Sequence, residues 1–245
     1  MTDIERSSGI LLHPTSLPGP HGVGDLGGMA RRFVDRLADS GQSWWQILPL
    51  NPPGYGGSPY SSDSAFAGNR YLIALDDLVD RDLLAAEEVE SLAESFASEP
   101  DDHYAIAAVN EARDDLLDRA YHNWCDDRVD GEDFADFCRQ NTYWLDDYAL
   151  YEALKEEHDG ADWRDWPDPL TRRDSEAIAE AEERLAETVE RVKFLQWLFD
   201  RQWRALREYA NDRGVRFIGD APIFVAMDSA DTWAHRKLFQ VDEQG

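Results

Sequence analysis

Lysine is scarce in this chain: only Lys155, Lys193 and Lys237 occur among 24 basic residues. Opposite them stand 51 acidic residues, for a formal charge of -27. That balance makes nucleic acid and anionic membrane poor partners for the surface as a whole. Cysteine is equally sparse, with Cys125 and Cys138 alone. Two thiols, both in helix-like stretches, cannot build a disulfide framework or a four-thiolate metal site. Long apolar runs are missing as well. The opening MTDIERSSGI holds none long enough for a secretory signal, and no eighteen-residue apolar segment follows. The sequence therefore reads as soluble and cytoplasmic. No serine or cysteine nucleophile elbow, no HExxH and no His/Cys cluster with metal spacing is found.

What the chain does have is aromatic residues, including nine tryptophans among 245 residues. Disordered acidic chains lack these, so a folded body with a carboxylate-rich surface is expected. The preference for arginine over lysine on so acidic a surface suits a high-salt, halophilic setting in which self-repulsion is screened.

The pattern along the chain is of the α/β class. GILL (9–12) predicts a strand, and the loop HPTSLPGPHG follows with three prolines. Met29, Phe33 and Leu37 recur at helical spacing and Gly41 supplies a stop. WWQILPL (44–50) then predicts a fully buried strand. Loop, helix and strand in this order are a βαβ unit with a parallel sheet. YLIAL (71–75) is a further candidate strand. From about residue 80 to 170 the sequence turns to acidic amphipathic helices, and 175–213 reads as one more helical stretch with Leu195, Phe199, Trp203 and Leu206 on a single stripe. Strand VRFIG (215–219) resumes the sheet. Three segments result: 1–79 with the first β/α units, an 80–174 helical insertion, and 175–245 with a helix, the third strand and its following loop. Three or four strands do not close an eight-stranded barrel.

Residues just beyond the carboxyl ends of parallel strands line active sites. HPTSLPG, NPPGYGGSPYSS and Asp220-Ala221-Pro222 occupy those places. Within 54–69, GYGGSPYSSDSAFAGN combines rings with glycines and hydroxyls. Tyr55 and Tyr60 can stack on the apolar faces of a sugar, while Ser58, Ser61 and Ser62 take up its hydroxyls. The same composition also suits a packed Ω-loop glued down by its tyrosines. Asp220 can hydrogen-bond a sugar hydroxyl or cap a turn. His13 reads as a structural histidine and Asp228 as the cap of a short helix. GVGDLG (22–27) matches GxGxxG, but prolines separate it from the strand and the second strand ends without an acid, so a dinucleotide site is not expected.

Five segments taken together, GILLHPTSLPGPHGVGDLG, WWQILPLNPPGYGGSPYSSDSAFAGNRYLIAL, WLDDYALYEALK, QWLFDRQW and FIGDAPIFVAMDSADTWAH, closely resemble in order and spacing the 4-α-glucanotransferases, also called amylomaltases or disproportionating enzymes. The resemblance implies the amino-terminal part of a (β/α)8 TIM-type barrel with a large helical insertion. It also implies transfer of α-1,4-glucan segments between maltooligosaccharides by a retaining double displacement, without cofactor. The family's three catalytic carboxylates lie beyond residue 245, so none is expected within this chain. By the same resemblance Tyr60 and Ser58 belong to the donor-sugar cleft, Asp220 hydrogen-bonds near the cleaved bond, and Tyr55 makes an outer glucan contact. The chain would then be inactive alone, and a second polypeptide completing the barrel is one way to restore it. A non-catalytic glucan-binding or interaction module is the alternative, and a purely structural acidic adaptor a third.

Overall fold

The computed structural model describes residues 6–54, 57–97 and 106–240. Along the chain run β1 (Gly9–Leu11), α1 (Gly28–Asp39), β2 (Trp44–Gln46), β3 (Ser61–Ser62), α2 (Leu75–Val79), α3 (Ala86–Phe96), α4 (Ile106–Asp127), α5 (Gly131–Glu157), α6 (Asp168–Thr171), α7 (Ser175–Arg184), α8 (Ala186–Asp212), β4 (Arg216–Ile218), β5 (Phe224–Val225) and α9 (Ala230–Ala234). The class is α/β and helix-rich. The chain divides into two compact units, one of residues 1–48, 70–129 and 198–220, the other of 49–69, 130–197 and 221–245.

The first unit is built on a parallel sheet in the order β1-β2-β4, with Gly9, Trp44 and Arg216 in register. Trp45 at its centre is fully buried, and its indole N–H donates to Leu12 O at 2.8 Å. Phe33 meets its ring edge-on at 4.8 Å, Phe217 lies against it at 5.0 Å, and Trp203 packs on Phe217 at 4.7 Å. Helices α1 and α8 thus cover the face of the sheet that carries Trp45. The opposite face, with Leu11, Gln46 and Ile218, is exposed. The expected full burial of 44–50 is therefore corrected: the regular strand is three residues long and only its middle residue is buried. Pro49 and the two prolines that follow cannot extend a ladder.

Both helices that lead into a strand stop in the same way. After α1 the N–H of Gly41 bonds Ala38 O and that of Gln42 bonds Leu37 O, with Gly41 at φ +69. After α8 the N–H of Gly214 bonds Asn211 O and that of Val215 bonds Ala210 O, with Gly214 at φ +74. Each is a Schellman stop that places the next strand a fixed distance from the helix end.

YLIAL is not a strand. Arg70–Leu72 form a 3-10 turn and Leu75 opens α2. Ala74 instead gives its N–H to Gln202 Oε1 at 2.6 Å and receives Gln202 Nε2 on its carbonyl at 3.1 Å. A side-chain amide occupies the place of a neighbouring strand. The stretch 175–213 is likewise two helices, α7 and α8, which break at Leu185.

In the second unit, β3 and β5 pair in parallel, Ser61 opposite Phe224 and Ser62 opposite Val225. Its core is an aromatic cluster: Trp166 meets Trp233 edge-on at 5.5 Å and Tyr151 touches both. The guanidiniums of Arg173 and Arg236 lie over the rings of Trp233 and Trp163 at 4.1 and 4.4 Å. Cys125 and Cys138 are half-buried free thiols, and burial pushes the Cys138 thiol up to about 11. Among the described residues no helix is long and apolar enough to cross a membrane.

Candidate functional site

Parallel register brings the carboxyl ends of β1, β2 and β4 to one edge of the sheet. Leu12 N–H bonds Gln46 O and Ile47 N–H bonds Ile218 O, both at 3.0 Å, so the three loops leave from one line. Asp220 stands exposed two residues past β4. His13, in the first loop, has its Nδ1 2.8 Å from Thr15 Oγ1 and accepts from Thr15 N–H at 3.3 Å. It caps the 3-10 turn Pro14–Ser16, the structural role expected of it.

The second loop is held from within. Asn69 N–H bonds Leu50 O at 2.8 Å and closes it, while Asn51 Nδ2 donates to Ser64 O and Ala67 O at 3.1 and 3.0 Å. The Ser62 hydroxyl, fully buried, shares its one proton between Pro52 O and Ser64 O at 2.8 and 2.7 Å and accepts from Ser64 N–H at 3.2 Å. Ser62 is therefore scaffold rather than a hydroxyl offered to a sugar. Ser58 and Tyr60 are half-buried, and Ser58 Oγ accepts from Tyr60 N–H at 3.4 Å. Tyr55 lies outside the described residues. Farther along, Phe66 is 52% exposed, stacked at 6.3 Å on Trp144 and met edge-on by Tyr143 at 5.6 Å.

The loop after Asp220 joins this one. Phe224 N–H bonds Tyr60 O at 3.1 Å, Ala226 N–H bonds Ser62 O at 2.9 Å and Ala230 N–H bonds Asp63 O at 2.9 Å. Ile223 and Phe224 turn outward, 68% and 70% exposed. Polar hydroxyls, a tyrosine and exposed apolar side chains are thus gathered along a two-strand ladder. Neither β3 nor β5 has a periodicity that announces it, because each is two residues long.

Asp228 does not cap α9. Ser229 does, accepting from Thr232 N–H at 3.2 Å. Asp228 instead accepts from Tyr151 OH at 2.7 Å, Lys155 Nζ at 2.6 Å and Trp163 N–H at 3.2 Å. Burial, then the hydrogen bond to Asp228, drives the Tyr151 phenol far above its ordinary range. The signal sequence reasoning passed over was Lys155, one of three lysines, on the helical stretch WLDDYALYEALK. Among the described residues no group of three or more His, Cys, Asp or Glu is arranged to hold a metal ion.

In α/β folds generally, loops that leave the carboxyl ends of parallel strands are where ligands bind. Comparison with known proteins gives the family. The family described as 4-alpha-glucanotransferase matches residues 12–245, and the chain belongs to it. It is 46% identical over 99% of its length to the 4-alpha-glucanotransferase of Thermus thermophilus, covering 47% of that protein. With the 4-alpha-glucanotransferase of Aquifex aeolicus it is 41% identical over 97% of its length, again covering 47%. Among solved structures, the amylomaltase from Streptococcus agalactiae in complex with acarbose superposes with a TM-score of 0.92 at 36% identity, over 98% of this chain and 48% of that one. The chain spans about half the length of the relatives it matches.

Proposed function

We propose that these residues supply the sugar-binding, amino-terminal half of a 4-α-glucanotransferase that moves α-1,4-glucan segments between maltooligosaccharides by a retaining double displacement. The observation that carries the reading is the family match across residues 12–245. The β3–β5 ladder, which joins the Tyr60 loop to the loop following Asp220, supports it. In this reading the three parallel strands are the first strands of a (β/α)8 barrel, and 80–174 is a helical insertion between 1–79 and 175–245. The Tyr60 ring stacks on a donor sugar, Ser58 offers it a hydroxyl, Tyr55 makes an outer contact, and Asp220 hydrogen-bonds sugar hydroxyls beside the bond that breaks.

The chemistry of such a transfer needs a carboxylate nucleophile and a carboxylic acid flanking the glycosidic oxygen. In the family these come from beyond the stretch matched here. The 245-residue chain should therefore bind maltooligosaccharides without turning them over, unless a polypeptide carrying those carboxylates joins it. No metal or organic cofactor enters the reading, and the acidic surface fits a salt-rich cytoplasm.

The test is maltotriose binding by calorimetry in molar KCl, with glucose and longer maltodextrins followed by chromatography. Binding that Tyr60→Ala weakens about five- to thirtyfold is the expected result, since a stacked ring contributes on the order of 1–2 kcal/mol. Turnover by the chain alone would overturn the assignment of the catalytic carboxylates. Absence of binding by a folded chain would overturn the sugar site.

A further inference from the structure

Asp228 has no part in the sugar contacts proposed above, yet its carboxylate accepts hydrogen bonds from three different residues. Its Oδ1 accepts from Tyr151 OH at 2.7 Å and from Trp163 N–H at 3.2 Å, and its Oδ2 accepts from Lys155 Nζ at 2.6 Å. Lys155 is committed in turn: its other donors go to Gly160 O at 2.7 Å and Ala161 O at 2.9 Å, which engages all three ammonium hydrogens. The Trp163 indole donates to Met227 O at 2.7 Å, next to Asp228 in sequence. Trp163 is fully buried, and the Lys155 and Asp228 side chains are 21% and 30% exposed. Residues 227 and 228 are thus fastened to the carboxyl end of α5 and to the turn after it, Asp228 by charge-assisted bonds and Met227 by the indole of Trp163.

The other end of this short segment is β5. Its ladder to β3 consists of few bonds, with Phe224 N–H on Tyr60 O at 3.1 Å and Ala226 N–H on Ser62 O at 2.9 Å. Two-residue strands do not hold themselves together. The ladder needs an external fixture, and residue 228 is two positions from its last bond. The hydroxyl of Ser62 already ties β3 to Pro52 and Ser64, while the segment after β5 is anchored by the bonds to Asp228, by Trp163 Nε1 and Thr232 Oγ1 on Met227 O, and by Ala230 N–H on Asp63 O.

We propose that Asp228, held by Lys155 and Tyr151, is a positioning residue that sets β5 against Tyr60 and thereby the affinity of the donor-sugar cleft. This rests on the glucan-binding reading. Preorganisation of this kind shows in ligand affinity, because an unanchored loop must be ordered at the moment of binding.

The experiment compares Asp228→Ala, Asp228→Asn and Tyr151→Phe with Leu170→Ala, a buried residue of α6 that makes no bond to this segment through its side chain. Two quantities are read on the full chain well below its melting midpoint: maltotriose affinity, and amide hydrogen exchange of Phe224 and Ala226. Asp228→Ala is expected to weaken maltotriose about tenfold or more and to speed both amides by a similar factor. Asp228→Asn keeps an acceptor for Tyr151 and Trp163 and should fall between. Leu170→Ala should lower the melting midpoint while leaving both readouts within about twofold, because exchange and affinity follow local rather than global opening there. Wild-type exchange in Asp228→Ala overturns the proposal, as does a Leu170→Ala variant that reproduces both effects. Should Asp228→Ala not fold, Asp228→Asn and Tyr151→Phe decide by the same readouts. A wild-type chain that binds no maltotriose sinks the glucan reading and with it the effect on the cleft, while the exchange arm still decides whether Asp228 holds β5.

Discussion

Gln196 and Gly68 are joined by two hydrogen bonds, Gly68 N–H to Gln196 Oε1 at 2.8 Å and Gln196 Nε2 to Gly68 O at 2.9 Å. The side-chain amide reads the backbone as a neighbouring strand would, at the point where the second loop returns to the body. Both residues are buried, so each backbone group would otherwise be lost from water without replacement. Gln196→Ala should therefore cost about 2–4 kcal/mol, as two buried groups lose their partner. Urea unfolding of variant and wild type checks it, and a loss below about 1 kcal/mol would mean that water replaces the amide.

Gly214 offers a cleaner case. A Cβ added there meets nothing within 4 Å, yet φ is +74. Gly214→Ala should then cost about 1–2 kcal/mol through the left-handed backbone alone. Gly214→Asn should cost less, since asparagine tolerates that region. Equal losses for the two variants in chemical denaturation would contradict the backbone explanation.

Asp25 gives a pH dependence. Burial raises its carboxyl to about 6, against the lowering pull of Arg113 and of Gly27 N–H. Its Oδ1 accepts from Gly27 N–H at 3.0 Å and its Oδ2 lies 3.9 Å from Arg113. A carboxyl whose folded pKa lies above the unfolded value favours the fold while protonated in it. That contribution is full below the unfolded pKa, declines as pH climbs from about 4, and is gone above about 6. Relative to Asp25→Asn, the wild type should lose on the order of 3 kcal/mol between those limits. Unfolding free energies of both proteins at pH 4, 5 and 7 check the sign. A difference that stays flat, or runs the other way, rules out burial as the dominant cause.

The net charge of -27 predicts a response to salt. Molar KCl shrinks the screening length to about 3 Å. Carboxylates that repel across the surface then cease to do so, and the melting midpoint should rise by roughly 5–10 °C between low and molar KCl. A midpoint indifferent to KCl would mean that the ion pairs of this surface already balance its repulsion.

How much of this was legible beforehand follows the length of each element. The β1–α1–β2 unit and β4 could be read because α1 shows its helical period and the strands sit between glycine stops and proline-rich loops. YLIAL could not, since five apolar residues look alike in a strand and in a buried turn. What decides is Gln202, far along the chain, whose amide takes both backbone groups of Ala74. The site divides in the same manner. That Tyr60, Ser58 and Asp220 lie in loops following strands could be read, whereas the pairing of β3 with β5 is a backbone event between serines and a Phe-Val pair with no pattern to reveal it. Asp228 was misread because DSAD suits a helix cap at two positions. Only the structure assigns the cap to Ser229 and leaves Asp228 to Lys155.

The closed set of bonds around Lys155 also governs covalent chemistry at the surface. Acylation by an amine-reactive ester needs room to approach the nitrogen, and Lys155 offers little while its three hydrogens are engaged. Lys193, half-buried on Asp146, is also hindered, whereas Lys237 is exposed. Immobilisation or labelling through lysine would thus fall on Lys237. The slow appearance of acylated Lys155 in a digest would serve as a chemical clock for the opening of that corner of the molecule.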